Sequence, residues 1–254
     1  MIVLVTLDVR NQEIQTIQLR RKRPEGKILR RYRDGEARYD GYLYDYTATA
    51  TACMDLYEAT YEPHYIQTAH ELMQRVEDKF HGETGTFHET ASDGEELLVR
   101  QISGYDGVEP SGNSNAALAF LRLSAYLTEP ALALKAEKIF LDFNEELMEY
   151  GLNSAFMLQA LHLYLGGLKE VAVVGKKNDP ATQELLNALR KGFYPNAVFA
   201  FAYEDEIKNV GNLIPLLKDR KLVNGKATAY VCRQGTCLAP VHSVEELVKL
   251  LSYE

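Results

Sequence analysis

The sequence predicts a mainly α protein with a small α/β lobe at its C-terminal end. Apolar residues recur at helical spacing from about residue 42 to 166. The connections at 58–63 and 128–130 are short, so successive helices turn back on one another as antiparallel pairs. After Gly167 the period changes to short apolar runs that alternate with helix signals. The expected layout is an irregular or strand-like segment over 1–29, helical hairpins over 30–167, and an α/β lobe with a mostly parallel sheet over 168–254.

The opening MIVLVTLDV reads as a short strand or a ragged start. It lacks the basic n-region of a secretory leader and meets Asp8 too soon. Arg20-Arg21-Lys22-Arg23, followed by Arg30-Arg31, is either an anion patch or a solvated segment.

The first helical stripe is Leu43, Tyr46, Ala50, Cys53, Met54 and Tyr57. The second, Ile66, Ala69, Met73, Val76 and Phe80, is entered through Pro63, a residue that suits a first turn. The third runs through Ala116, Ala117, Phe120, Leu123 and Leu127. The fourth starts near Pro130 and continues from Leu132 to Leu147. The fifth, Phe156 to Tyr164, is closed by Gly166-Gly167. About thirty residues separate the second and third helices, and long links in compact domains tend to be functional or disordered.

In the second half, Val171–Val174, Ala197–Tyr203 and Ala227–Cys232 read as strands. Asp179-Pro180 offers an N-cap and a first-turn proline for a helix through Leu185, Leu186 and Leu189. A short helix or turn is expected at 213–217, and Ser243 with Glu246 forms a capping box for a last helix. Gly175-Lys176-Lys177 does not match a phosphate loop.

Composition narrows the function. A formal charge of -8 opposes nucleic acid as the main partner, because phosphate binding needs a basic surface. No apolar run approaches the roughly 18–20 residues of a membrane helix. Three cysteines are too few, and odd in number, for a secreted disulfide scaffold, so a cytoplasmic setting is expected.

The candidate chemistry centres on YDGVEPSGNS, residues 105–114, which opens the third helix. Ser111, Asn113 or Ser114 suits an N-cap, but a cap alone does not account for Asp106 and Glu109. The alternatives are a polar pocket at a helix N-terminus and an elaborate cap. Asp45 in the first helix is either a dipole-favoured first-turn acid or a second carboxylate for acid/base work with Asp106. None of the six histidines has zinc-helix spacing; His88 is the best base among them. No metal set and no cofactor is assigned. Cys232 and Cys237 are a redox candidate pair, read as a disulfide, a redox couple, half a metal site or two packed thiols. Cys53 is expected in the core.

The run from Leu29 through DGYLYDYTATATACMDLYEAT, then LLVR, the Asp106 to Ser114 block, EVAVVG, FYPNAV and AYVCRQGTC resembles, in this order, the YyaL-like family, also called the spermatogenesis-associated protein 20 family. The resemblance runs from about Arg30 to the C-terminus. It implies a thioredoxin-like domain in full-length members, followed by an (α/α)-toroid similar to N-acylglucosamine 2-epimerases and six-hairpin glycosidases. This chain is then expected to be the C-terminal part of such a protein, with a partial toroid of antiparallel helix pairs.

The resemblance makes the loops at 42–46 and 106–114 candidates for the lining of a carbohydrate pocket. Asp45, Asp106 and Glu109 are the acid/base candidates. Tyr42, Tyr46, Arg33, Arg100, Ser111 and Asn113 are the binding candidates, with Glu89 nearby. The expected activity is sugar epimerisation, isomerisation or glycosidase-like chemistry, with a small carbohydrate as ligand. The rival is a non-catalytic scaffold linked to redox chemistry through Cys232 and Cys237. An incomplete toroid exposes apolar helix faces, so a homodimer or a partner chain is expected to cover them.

Overall fold

The computed structural model describes residues 3–8, 13–18, 27–33, 36–233 and 235–252. The Arg20–Arg23 run lies outside them. The elements are β1 (Val3–Asp8), β2 (Glu13–Gln18), β3 (Leu29–Arg33), β4 (Glu36–Asp40), α1 (Leu43–Thr60), α2 (His64–Phe80), α3 (Gly112–Leu127), α4 (Pro130–Asp142), α5 (Asn144–Tyr150), α6 (Ala155–Gly166), β5 (Lys169–Gly175), α7 (Pro180–Lys191), β6 (Ala197–Tyr203), α8 (Ile207–Leu213), β7 (Thr228–Arg233), β8 (Thr236–Cys237) and α9 (Val244–Ser252). Short 3-10 turns occupy Gly151–Ser154 and Pro215–Leu217. The protein is mainly helical with a C-terminal α/β lobe.

The chain divides into two compact units. One holds Met1–Cys53, Thr68–Ala119 and Lys135–Gln159; the other holds Met54–Gln67, Phe120–Leu134 and Ala160–Glu254.

In the first unit, β1 pairs with β2 and β3 with β4, both antiparallel. Leu43, Tyr46, Ala50 and Cys53 of α1 are buried, as are Met73, Val76 and Phe80 of α2 and Ala116, Ala117 and Ala119 of α3. The Tyr46 and Phe80 rings meet at 5.1 Å. Gly112 opens α3 because a Cβ there would stand 2.6 Å from the Leu43 side chain. The fourth apolar stripe does not make one helix. It breaks after Asp142, and the Phe143 ring packs where a Cβ on Gly104 would lie, 2.7 Å away.

In the second unit, the sheet has the order β6-β5-β7-β8. It is mixed rather than mostly parallel: β5 pairs parallel with β6 but antiparallel with β7, and β7 with β8. The parallel pair follows from the α7 crossover, which returns the chain to the same end of the sheet. Val171, Val173, Leu185, Leu189, Phe201, Val231, Leu247 and Leu251 form the core of the lobe. Asp179 caps α7, accepting from Thr182 N at 3.2 Å and from its hydroxyl at 2.7 Å. Ser243 accepts from Glu246 N at 3.3 Å and donates to its carboxylate at 2.9 Å, closing the capping box of α9. Gly167, at φ 77°, ends α6 in the left-handed conformation and donates to Leu163 O at 3.0 Å.

Also in this unit, Glu58 accepts from the Tyr126 hydroxyl and pairs with Arg122 at 3.4 Å. Burial raises the Tyr57 and Tyr126 phenols well above their ordinary values, and raises Tyr61 to about 12.

Candidate functional site

The polar knot before α3 is mostly spoken for by the backbone. Ser111 is the N-cap: its Oγ accepts from Ser114 N at 3.0 Å. Asp106 uses both carboxylate oxygens. Oδ1 accepts from Ser111 N at 2.7 Å, and Oδ2 from Phe156 N and Met157 N at 2.8 and 3.1 Å. One carboxylate thus joins the entry to α3 to the first turn of α6, where free N–H groups favour an anion. Asn113 is fully buried. Its Oδ1 accepts from Phe87 N at 2.9 Å, and its Nδ2 donates to Phe87 O and Ser103 O at 2.9 and 3.0 Å.

Other binding candidates are engaged in the same way. The buried Tyr46 hydroxyl accepts from Ile28 N at 2.9 Å and from Arg75 Nε at 3.2 Å. The Arg100 guanidinium donates to Thr90 O at 3.1 Å and to Lys79 O at 3.2 Å, strapping the long loop to the end of α2. His88 Nδ1 lies 3.0 Å from Arg100 O. Arg33 lies on β3, and its side chain is outside the described residues. Asp106, Asn113, Tyr46 and Arg100 are therefore engaged by hydrogen bonds within the protein that hold the fold.

Asp45 is near enough to Glu109 for the two charges to interact. Asp45 Oδ2 accepts from Tyr42 N at 2.7 Å, reaching back over the first turn of α1. Burial pushes its carboxyl above the usual range; the nearby Glu109 charge adds to this, while the Tyr42 hydrogen bond and the Arg30 charge oppose it. Tyr44 is raised by burial and by the Glu109 and Asp45 charges. Burial alone raises Glu89. Glu109 is exposed.

Tyr42, whose N–H donates to Asp45, lines a cleft of about 920 Å³; Asp45 and Glu109 are not among its lining residues. The hairpin β3–β4 forms one wall and residues 90–97 of the long loop the other. Arg30 stacks over the Tyr42 ring at 4.3 Å, and Arg31 over the Tyr39 ring at 5.2 Å. Tyr39 and Tyr42 are 61% and 45% exposed, so each ring still offers surface to a ligand. Tyr39 has φ 65°, a left-handed conformation costing a bulky residue on the order of 1–2 kcal/mol. Of this wall, Tyr42 and the Arg30-Arg31 pair were singled out by the sequence, whereas Tyr39 and Asp40 were not. The unread signal was Asp34-Gly35, a hairpin-turn dipeptide between two short strand-like runs.

Cys232 and Cys237 form a disulfide between facing positions of β7 and β8. Among the described residues, no group of three or more His, Cys, Asp or Glu side chains is placed to hold a metal ion. Among them, too, no helix is long and apolar enough to cross a membrane.

This helical protein with an α/β lobe has recognisable relatives. Over 214 residues it is 29% identical to spermatogenesis-associated protein 20 of Homo sapiens, covering 83% of this chain and 27% of the human protein. The Rattus norvegicus protein of the same name gives the same identity and coverage. An uncharacterized protein of Caenorhabditis elegans is 28% identical over 210 residues. No family model matches the chain. These relatives support its assignment to the spermatogenesis-associated protein 20, or YyaL-like, family. The chain spans 27–28% of the length of the curated relatives it matches.

Proposed function

We propose that the cleft lined by Tyr39 and Tyr42 binds a small carbohydrate. The observation that carries this is the pair of arginine-on-tyrosine stacks, Arg30 with Tyr42 and Arg31 with Tyr39, on one wall of a cleft of sugar-accommodating size. Exposed tyrosine faces suit the apolar C–H face of a sugar ring. Guanidinium and carboxylate groups, from Arg30, Arg31, Asp40 and Glu95, suit its hydroxyls.

Asp45, with Glu109 in its field, is the acid/base pair available to epimerase-, isomerase- or glycosidase-like chemistry. Burial raises the Asp45 carboxyl while Glu109 stands exposed, two environments that support such a division of roles. Self-association belongs to the same proposal. Leu141, Met148, Tyr150 and Leu152 stand 61–92% exposed, a surface that a second copy would cover. A cytoplasmic setting belongs to the same proposal, and there the Cys232–Cys237 disulfide would be a redox-active bond rather than a scaffold one.

Thermal-shift and calorimetric titration with mono- and disaccharides and their phosphates tests the pocket. A stabilising sugar class is expected, with Arg30→Ala and Tyr42→Ala each weakening binding about tenfold, roughly 1.4 kcal/mol. Indifference to every sugar would overturn the reading. Light scattering at monomer mass would overturn self-association.

A further inference from the structure

The Cys232–Cys237 disulfide has features that packing alone does not require. The two residues differ sharply in access: Cys232 is 2% exposed, whereas Cys237 sits among exposed residues on the two-residue edge strand β8. The Arg220 guanidinium reaches both sulfurs, with Nη2 3.4 Å from Cys232 Sγ and 3.5 Å from Cys237 Sγ. Arg220 is itself held in place: it lies over the Tyr230 ring at 4.9 Å, and its Nε donates to Leu216 O at 3.5 Å. A fixed cation beside a disulfide does little for the bonded form, whose sulfurs are weak acceptors. It does much for a thiolate, which needs a counter-charge.

We propose that this hairpin is a thiol–disulfide exchange site for a dithiol reductant, with Cys237 the sulfur attacked and Cys232 the leaving thiolate, received by Arg220.

In the forward step, one thiolate of the dithiol attacks Cys237 Sγ. A mixed disulfide forms, the Cys232–Cys237 bond breaks, and its electron pair leaves on Cys232 Sγ. The second thiol of the reductant loses its proton to water and attacks the reductant sulfur of the mixed disulfide. Cys237 is released as a thiolate and takes a proton from water. Two electrons pass from the dithiol, which becomes a disulfide, to the two cysteines. Rates of such exchange depend on which sulfur is attacked and on how readily the other leaves. Access selects Cys237 for the first, and Arg220 selects Cys232 for the second.

The charged and titratable groups around the pair act in different directions. Glu170 faces Cys232 from β5 and opposes a thiolate when ionised; burial raises its carboxyl, and Arg220 offsets part of that rise. Tyr230 lies two residues before Cys232, and Arg233 directly follows it on β7. Arg220 is the cation that touches both sulfurs.

The test uses the full chain. Folded protein is treated with dithiothreitol, quenched by alkylation and read by peptide mass mapping, which separates Cys53 from the pair. The disulfide is expected to open without denaturant, with Arg220→Gln slowing it about threefold to tenfold and Arg220→Lys restoring most of the rate. In a Cys237→Ser protein, the alkylation rate of Cys232 against pH should show titration below about 8.5, the ordinary thiol value. Arg220→Gln should move that midpoint upward, and circular dichroism should show both variants folded. Opening that requires denaturant, or a Cys232 midpoint that does not move with Arg220→Gln, would overturn the proposal. If Arg220→Gln does not fold, the Cys232 midpoint measured in the wild-type background of Arg220 and in Arg220→Lys decides it: a value at or above 8.5 in both is the overturning result.

Discussion

Asp106 and Phe156 stand fifty residues apart in sequence, yet the Asp106 carboxylate accepts the Phe156 N–H at 2.8 Å. The same group accepts from Met157 and Ser111. The carboxylate acts as a shared N-terminal anion for two helix starts. Removing it leaves three backbone donors without their acceptor, and a stranded donor costs about 1–3 kcal/mol. Asp106→Ala should therefore destabilise the protein by about 2–4 kcal/mol in urea melts. Sugar binding, measured where the variant is still folded, should persist. Loss of binding at unchanged stability would instead place Asp106 in the pocket.

Asn113 should be as costly. Replacing it with Ala removes the acceptor that meets the Phe87 N–H and the donor that meets the Phe87 and Ser103 carbonyls. The expected loss is about 2–4 kcal/mol. Asn113→Asp should be no better, because a carboxylate cannot donate to the two carbonyls. Denaturant melts of both variants check this; a cost near zero would mean that water replaces the side chain.

Glu89 gives a pH-dependent prediction. Burial raises its folded value, so the neutral form is favoured in the folded state. Its contribution is fully present below the unfolded value, about 4.3, and is lost as pH rises through the raised folded value. At neutral pH the ionised group is a liability. Glu89→Gln should raise the melting temperature at pH 7, and the gain should vanish below about pH 4. Equal effects at both pH values would show that the amide acts through packing.

The Asp45 carboxyl should respond to the charge of Glu109. Glu109→Gln removes a like charge and should lower the Asp45 midpoint toward the usual carboxylate range, leaving the larger effect of burial in place. Carboxyl-carbon NMR titration reads this directly. An unmoved Asp45 would separate the two groups and remove the basis for paired acid/base chemistry.

What the sequence disclosed and what it hid divide by distance along the chain. Asp179-Pro180 and Ser243 with Glu246 were legible because a cap bonds to groups two or three residues away. The apolar stripes of α1 to α3 were legible because burial imposes helical spacing. Asp106 was ambiguous because its decisive partners, Phe156 and Met157, lie on another helix. Asn113 could have served as a cap, and only its fit to Phe87 and Ser103 shows otherwise. The sheet was misjudged in one respect: strand runs give no direction, so the antiparallel return of β7 beside β5 could not be read. Tyr39 and Asp40 were missed because the strands of their hairpin, LRRYR and EARYD, are mostly polar and too short for apolar alternation to register.

The ties along the long connection between α2 and α3 also change what its length costs. A free loop pays closure entropy once, over all of its residues, and each doubling adds only about 0.6 kcal/mol. Here the span is stitched at His88 to Phe80, Ser92 to Lys79, Arg100 to Thr90, and Phe87 and Ser103 to Asn113, so it behaves as several small closures in series. The slack sits between stitches, at the exposed Leu97, Leu98 and Val99. Residues inserted there would lengthen one small closure while leaving every stitch intact. Because Glu95 and Leu97 border the cleft, that stretch is where a lineage could reshape the cavity wall at little expense to the fold.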